Sequence, residues 1–152
     1  MTAMNPPPTG PSLAQLQAFL AAEFPQTRVR VEALDEGVVT ASLRVDASDL
    51  RPGGTVSGPT LMALADVALY AAVLAEVGLV ALAVTTDLNV HFLRKPQAGM
   101  PLWAKARLLT AGRRLVVGEV AVHSGPLGQG PQVAQAVGTY ALPSRAADAG
   151  PR

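Results

Sequence analysis

One carboxylate, Asp66, lies in an otherwise apolar stretch, residues 61–75. A charge in such surroundings is costly unless a partner offsets its desolvation. The stretch begins close after Gly58-Pro59, a pair typical of a helix start, where free backbone N–H groups bind an anion or a polarised carbonyl oxygen. A carboxylate that activates water and an N–H group that stabilises an oxyanion are together the chemistry of a hydrolase.

The spacing of these two groups favours a site built by two subunits. Gly58 and Asp66 are eight residues apart, which is about 12 Å along a helix axis. An aspartate side chain leans toward the helix N-terminus and recovers only part of that distance. One carbonyl carbon is therefore better reached by Gly58 of one chain and Asp66 of another, as in a two-fold dimer. Structural roles stay open: Asp66 as a buried acid, and Gly58 or Ser57 as a helix cap.

Two helices are predicted to position these groups. The first begins at Ser12, whose spacing to Gln15 is that of a capping box, and ends before Pro25. The second, residues 59–77, is apolar nearly all round, and Gly78 is expected to be its C-cap. A helix of this kind is buried on most sides.

Strands dominate the rest of the chain. Alternating apolar and polar residues predict strands at 28–33, 38–45, 81–93, 102–109, 115–123 and 133–142. Short turns join neighbouring strands, which indicates an antiparallel sheet. Only this sheet can enclose the apolar helix. The sequence therefore predicts an α+β domain in which a curved antiparallel sheet wraps around one long central helix, with a short N-terminal helix.

The composition narrows the functional class. Hydrophobic residues make up 49% and charged residues 15% of the chain, so part of the surface is expected to be covered by a partner subunit. The formal net charge of +1 argues against a nucleic-acid partner. The chain has no cysteine, which excludes disulfides and thiolate catalysis and fits a cytoplasmic protein. His91 and His123 lie on different predicted strands without an acid at ligand spacing, so no metal site is expected.

The chain is expected to form one domain, residues 12–143, between a disordered segment at 1–11 and a disordered tail at 144–152. The N-terminus lacks the pattern of a secretory signal. Residues 61–84 are long and apolar enough to span a bilayer, but the two carboxylates within them argue against insertion. No membrane partner is expected.

Four short motifs follow one another along residues 50–142. They are Ser57-Gly58-Pro59 with Asp66, VTTDLNV at 84–90 with FLR at 92–94 and Pro96, GRR at 112–114, and Ala136 with GTY at 138–140. Their order and spacing resemble the hotdog-fold acyl-CoA thioesterases of the phenylacetate-pathway (PaaI-like) type. The resemblance implies a hotdog fold, homodimers that pair into tetramers, and hydrolysis of an acyl-CoA thioester. It also implies neither metal nor cofactor, since CoA is part of the substrate.

Catalytic roles can be assigned on this basis. The Gly58 N–H is expected to bind the thioester oxygen, and Asp66 to act as general base on water or as the nucleophile. Similar enzymes place a Ser or Thr near residue 85 to hold the water, and the resemblance favours Thr85 over Thr86.

Several further residues are expected to bind the substrate. Basic side chains that suit the CoA phosphates follow the predicted strands, although they are equally typical of solvated turns. Side chains on the Asp66 face of the long helix suit an acyl pocket or the core. The substrate-binding candidates are Arg51, Ser57, Pro59, Met62, Tyr70, Arg94, Lys95, Arg113 and Arg114.

The chain departs from the family at two positions. The family usually has His-Gly-Gly where this chain has Ser57-Gly58-Pro59, and Asn or Gln where Arg51 aligns. Those residues orient the thioester carbonyl. The leading hypothesis is a thioesterase for an aromatic or medium-chain acyl-CoA, and the alternative is a catalytically weak acyl-CoA-binding protein. A hotdog dehydratase is less well supported, because those enzymes use a His near the central helix.

Overall fold

The computed structural model describes residues 10–144. The expectations for the two ends of the chain, at 1–11 and 144–152, therefore fall almost wholly outside the described residues. The helices are α1 (Leu13–Glu23) and α2 (Gly58–Val77). The strands are β1 (Arg30–Asp35), β2 (Val38–Leu43), β3 (Val84–Phe92), β4 (Leu102–Ala111), β5 (Leu115–Ser124) and β6 (Gln132–Ala141).

All six strands form one antiparallel sheet in the order β1-β2-β4-β5-β6-β3. Helix α2 contacts five of these strands, and most of its residues are buried. The sheet therefore curves around one central helix, and the predicted hotdog architecture is confirmed. By length and composition helix α2 could cross a membrane, but it is mostly buried as the core helix of this fold.

Strand β3 lies at an edge of the sheet, paired on one side with β6. The sequence predicted a strand at 81–93, and this prediction is wrong at its start. Residues 81 and 82 form a turn instead, in which the N–H of Ala83 donates to the carbonyl of Val80 at 3.3 Å. At the other predicted strands the bounds shift by a few residues, as at β4, which continues two residues further, to Ala111.

The short first helix forms as its capping box predicts. Ser12 Oγ accepts from the N–H of Gln15, and the Gln15 side chain accepts from the N–H of Ser12. Leu16 and Leu20 are buried. The amide of Gln17 donates to the carbonyl of Val31 at 2.7 Å and fastens α1 to β1.

Two glycines allow α2 to pack close to the sheet. Gly118 in β5 and Gly138 in β6 are directly paired across the two strands. A Cβ atom would lie 2.4 Å from Cδ1 of Leu69 at Gly118 and 2.7 Å from Cδ2 of Leu69 at Gly138. Leu69 therefore occupies a notch that only glycine provides, and Asp66 lies one helical turn before it.

One face of α2 is left uncovered within the chain. Pro59, Met62 and Ala63 are exposed, and Asp66 and Tyr70 are half-buried. The spacing of these residues places them along a single stripe of the helix. Among the described residues the outer side of the edge strand β3 is also uncovered, and the strand carries exposed apolar side chains at Val84 (54% exposed) and Phe92 (53%). Leu82 (73%) is exposed in the turn before it.

Candidate active site

Asp66 is held by two hydroxyl groups. Thr85 Oγ1 donates to Asp66 Oδ1 at 2.7 Å, and the Tyr140 hydroxyl donates to the same oxygen at 2.6 Å. The Tyr140 hydroxyl also lies 2.9 Å from the backbone carbonyl of Asp66. The carboxylate in the apolar helix therefore has partners that offset its desolvation.

The pairing of β3 with β6 brings these hydroxyls together. Thr85 and Tyr140 are direct cross-strand partners, so their side chains share one face of the sheet. The register shifts between Thr85 and Asp87, which makes Thr86 the extra residue of a bulge. The Thr86 hydroxyl donates to the carbonyl of Thr139 at 3.3 Å instead. Of the two threonines considered from the sequence, Thr85 is the one beside Asp66.

Tyr70 packs on the same group from α2. Its ring is stacked on that of Tyr140, with centroids 5.8 Å apart, and its hydroxyl donates to the carbonyl of Ala81 at 3.1 Å. Burial, and then the negative charge of Glu23, raises the pKa of Tyr70. Burial, followed by the hydrogen bond to Asp66, raises the pKa of Tyr140 far above its usual range. Both phenols are therefore protonated donors at neutral pH.

The N-terminal end of α2 faces an open cleft of about 560 Å³. A Cβ atom on Gly58 would lie 3.3 Å from the ring of Phe92, at the C-terminal end of β3. Among the substrate-binding candidates, the cleft is lined by Arg51, Pro59, Arg94 and Lys95. The structure therefore gathers Gly58 with three cations, whereas Asp66 does not line this cleft.

The first turn of α2 leaves one N–H group for a ligand. Thr60 N–H donates to Ser57 Oγ at 3.3 Å and Leu61 N–H to the Ser57 carbonyl at 3.4 Å, while Pro59 has no N–H. Within residues 10–144, no acceptor is bonded to the N–H of Gly58. Such a donor at a helix N-terminus suits an anion or a developing oxyanion.

Ser57 is the N-cap of α2, and a buried acid anchors it. The Ser57 N–H donates to the Asp49 carbonyl at 2.7 Å, and Thr60 Oγ1 donates to Asp49 Oδ1 at 3.2 Å. Arg28 forms a salt bridge with the same carboxylate, which is 4% exposed. Burial alone would raise the pKa of Asp49, but the hydrogen bond from Arg28 and other donors outweigh it and hold the pKa below its usual value.

The remaining basic candidates lie elsewhere. Arg113 and Arg114 are in the turn between β4 and β5, and Arg114 Nη1 donates to Ser144 Oγ at 3.0 Å. Because Val116 pairs with Tyr140, this turn lies at the Thr85 end of the sheet. Within one chain, these arginines and the cations of the Gly58 cleft are not brought together.

His91 is exposed on β3, and His123 Nδ1 lies 3.1 Å from the carbonyl of Gly130. In the part of the chain that the structure describes, no group of three His, Cys, Asp or Glu side chains is placed to hold a metal ion.

Comparison with known proteins identifies the family. The sequence model of the thioesterase superfamily matches residues 53–130 of this chain. A candidate thioesterase of Silicibacter sp. TM1040 is 43% identical over 88% of this chain and 92% of that chain, with a TM-score of 0.77. This chain belongs to the thioesterase superfamily. Its enzyme class is therefore that of the thioester hydrolases.

Other solved thioesterases resemble the chain less closely. The Escherichia coli PaaI protein, from the phenylacetic acid degradation operon, is 26% identical over 85% of this chain and 91% of that chain, with a TM-score of 0.66. A hypothetical thioesterase of Streptococcus pneumoniae, solved with coenzyme A, is 20% identical over 88% of this chain and 98% of that chain, with a TM-score of 0.66. The predicted PaaI-like resemblance is confirmed. The likeness to the Streptococcus pneumoniae protein shows the fold alone. Comparison with curated protein sequences found no match.

Two residues that organise the site of this thioesterase have no role in the predictions from its sequence. Tyr140 enters them only as part of the GTY motif. A buried tyrosine needs a hydrogen-bond partner for its hydroxyl, and Asp66 is the polar residue for which the sequence predicts no partner. Asp49 has no part in those predictions, although the spacing from Asp46 to Asp49 is that of a capping box, which the structure contains.

Proposed function

We propose that this thioesterase hydrolyses an aromatic or medium-chain acyl-CoA to the free acid and CoA. The site is composite: Asp66 and Thr85 come from one subunit, and the Gly58 N–H comes from its neighbour. The enzyme works as a cytoplasmic homodimer that pairs into a dimer of dimers, with no nucleic-acid or membrane partner.

The observation that carries this proposal is the placement of Gly58 and Asp66 at opposite ends of β3. Gly58 lies against Phe92 and Asp66 is bonded to Thr85, and the two residues are about 12 Å apart along α2. The free edge of β3 is a template for a second strand. If two copies of β3 pair antiparallel about a two-fold axis, the Phe92 end of one chain lies beside the Thr85 end of the other.

The mechanism follows from these groups. Asp66 takes a proton from water while the water oxygen bonds to the thioester carbonyl carbon, and the Gly58 N–H stabilises the oxyanion that forms. The C–S bond then breaks, and the CoA thiolate takes the proton back from Asp66. In the second route, Asp66 attacks the carbonyl carbon, releases CoA and forms a mixed anhydride that water hydrolyses. The Thr85 hydroxyl donates a hydrogen bond to Asp66, and its oxygen can accept one from the attacking water.

The cations of the cleft suit the remaining parts of the substrate. Arg94 and Lys95 follow the strand that carries Phe92, next to Gly58, and suit the CoA phosphates. Arg51 lies in the same cleft, where the family has an amide side chain, and its guanidinium can donate to the thioester oxygen or to a phosphate. In the dimer, Arg113 and Arg114 of the Asp66 subunit approach this cleft from the other side. Met62 and Tyr70 then contact the acyl group.

A second function, acyl-CoA binding with little turnover, is favoured by one observation. The Ser57 hydroxyl caps α2 through Thr60 and so does not replace the histidine that family members use to orient the carbonyl. Thiol release from a panel of acyl-CoAs separates the two functions. We expect turnover by the wild-type protein and a loss of about 10²- to 10⁴-fold in Asp66→Ala. CoA-ester binding without thiol release would establish the binding function instead.

Subunit exchange tests the composite site. Asp66→Ala and Gly58→Pro, which lacks the N–H donor, are each expected to be nearly inactive. After mixing and complete exchange in equal amounts, half of the dimers carry one intact site and one doubly altered site. About one quarter of the wild-type activity should therefore return. Full exchange, proved by mass-tagged subunits, without recovery would place Asp66 and Gly58 in the same chain's site.

A further inference from the structure

We propose that Tyr140 is a positioning residue of this site: together with Thr85 it holds Oδ1 of Asp66 and leaves Oδ2 as the oxygen that reacts. This inference rests on the proposed thioesterase function and names the atom of Asp66 that acts in it. Tyr140 lies on the last strand, 74 residues from Asp66, so no local pattern connects the two residues.

Both hydrogen bonds to the carboxylate converge on one oxygen. Thr85 and Tyr140 donate to Oδ1 at 2.7 and 2.6 Å, and within residues 10–144 no group donates to Oδ2. The terminal torsion of an aspartate is soft, and without these bonds its two oxygens would exchange places readily. Two donors on one oxygen fix that torsion. Proton uptake from water, or attack on the thioester, is thereby assigned to Oδ2.

Tyr140 acts through Asp66 and does not reach the substrate. Its side chain is 3% exposed, and its ring is stacked on Tyr70. Its single hydroxyl proton is shared between Oδ1 and the backbone carbonyl of Asp66, which ties the residue to the helix at two points. A group that is buried and engaged in this way orients its neighbour and takes no part in proton transfer itself.

The bulge in β3 is part of this arrangement. Before the bulge, Thr85 faces Asp66 and pairs with Tyr140, whereas the bulged Thr86 donates to the carbonyl of Thr139. Of the two adjacent threonines, only Thr85 contacts Asp66. They provide a matched pair of variants, Thr85→Val and Thr86→Val.

The test compares kcat and KM in Tyr140→Phe, Thr85→Val and Thr86→Val. Tyr140→Phe keeps the stacked ring and removes only the hydroxyl, so we expect kcat to fall about 10- to 100-fold with KM within about threefold of the wild type. Thr85→Val should show the same split, and Thr86→Val should keep kcat within about twofold. If Tyr140→Phe does not fold, Tyr140→Leu, which also lacks the hydroxyl, decides the question by the same criterion.

A second measurement does not depend on turnover. Melting temperatures of Tyr140→Phe alone and on the Asp66→Ala background report whether the hydroxyl interacts with the carboxylate. The melting temperature should fall less on the Asp66→Ala background, because only the bond to the backbone carbonyl remains to be lost there.

The outcomes separate this inference from the proposed function. An active wild type whose Tyr140→Phe variant keeps more than a third of kcat, or loses only in KM, overturns the inference and leaves the function standing. A wild type that hydrolyses no acyl-CoA overturns the function, and the assignment of Oδ2 as the reacting atom falls with it. In that case an equal or larger fall in melting temperature on the Asp66→Ala background also overturns the contact, whereas a smaller fall upholds Tyr140 as the residue that orients Asp66.

Discussion

The two ends of the site differ in how much of their hydrogen bonding is complete within one chain. At the Asp66 end, the carboxylate is already bonded to two hydroxyls and lies against a stacked tyrosine pair. At the Gly58 end, the N–H is unpaired among the described residues, and exposed cations line an open cleft. The hydrogen bonds of the first end are completed by folding, whereas the second end keeps an N–H donor for the ligand that the proposed function assigns to it. Substitutions at the two ends should therefore affect different properties of the enzyme.

Among variants that leave Asp66 in place, removing the N–H donor of Gly58 should give the largest effect. Gly58→Pro deletes the N–H at a position where proline fits a helix start, and loss of one oxyanion donor lowers kcat by about 10²- to 10³-fold. Gly58→Ala is the matched control, because it keeps the N–H and adds a Cβ 3.3 Å from the Phe92 ring. Steady-state thiol release measures both variants. If they lose equally, the contact with Phe92, and not the N–H, is what the site needs.

Filling the notch that Gly118 and Gly138 leave for Leu69 should disturb the Asp66 end of the site. In Gly138→Ala, the new Cβ would lie 2.7 Å from the buried Leu69 side chain, and overpacking of this kind destabilises a protein by about 1–3 kcal/mol. Urea unfolding measures the loss, and kcat should fall with it because α2 carries Asp66. Thr139→Ala, on the opposite face of the same strand, should lose less. Equal losses from both variants would show that Leu69 and α2 adjust freely.

Charge at the open end should act on substrate affinity. Arg94→Gln removes a cation that lines the cleft, so KM for acyl-CoA should rise about three- to tenfold with kcat little changed. The effect should shrink at high salt, because the contact is exposed. An acyl-pantetheine substrate, which lacks the nucleotide phosphates, is the control and should not distinguish the variant from wild type. A similar change with both substrates would remove Arg94 from phosphate binding.

Acid should weaken the contacts by which Asp49 holds the N-terminus of α2. The pKa of Asp49 is lowered in the folded chain, so its contribution is present above the unfolded value of about 3.9 and is lost as the pH falls through the folded pKa. The difference in melting temperature between wild type and Asp49→Asn should therefore be larger at neutral pH than below about pH 3.5. Asp46→Asn is the exposed control and should change less. A difference that is constant with pH would mean that the Asp49 charge adds nothing to stability.

Much of the fold could be predicted from local patterns. The Ser12 capping box, the all-round apolar helix with its Gly78 cap, and the alternation along β4 and β5 are all present in the structure. Each depends on residues within a few positions of one another, where propensity and periodicity act directly. The start of β3 was placed three residues too early, because the apolar residues before it form a turn whose carbonyl at Ala81 is bound by Tyr70.

The site could be predicted only in part. The sequence predicts three catalytic residues, Asp66, Gly58 and Thr85. The structure joins Thr85 to Asp66 by a hydrogen bond, but it places Gly58 in a cleft that Asp66 does not line. The roles of these residues in catalysis stay predictions. The sequence predicts a single group of cations for the CoA phosphates, but the structure divides them between the Gly58 cleft and the β4–β5 turn.

By itself, the sequence determined the central helix, its capped ends, the alternation of the strands and the isolated carboxylate, because these follow from short-range chemistry. The tertiary structure alone decided that β3 lies beside β6 at the edge of the sheet, and hence that Thr85 meets Tyr140 and that both reach Asp66. Strand order depends on contacts between residues more than fifty positions apart in the chain, where local propensity carries no information. Among the described residues, the same strand order leaves one edge of β3 unpaired and places Gly58 and Asp66 at its opposite ends.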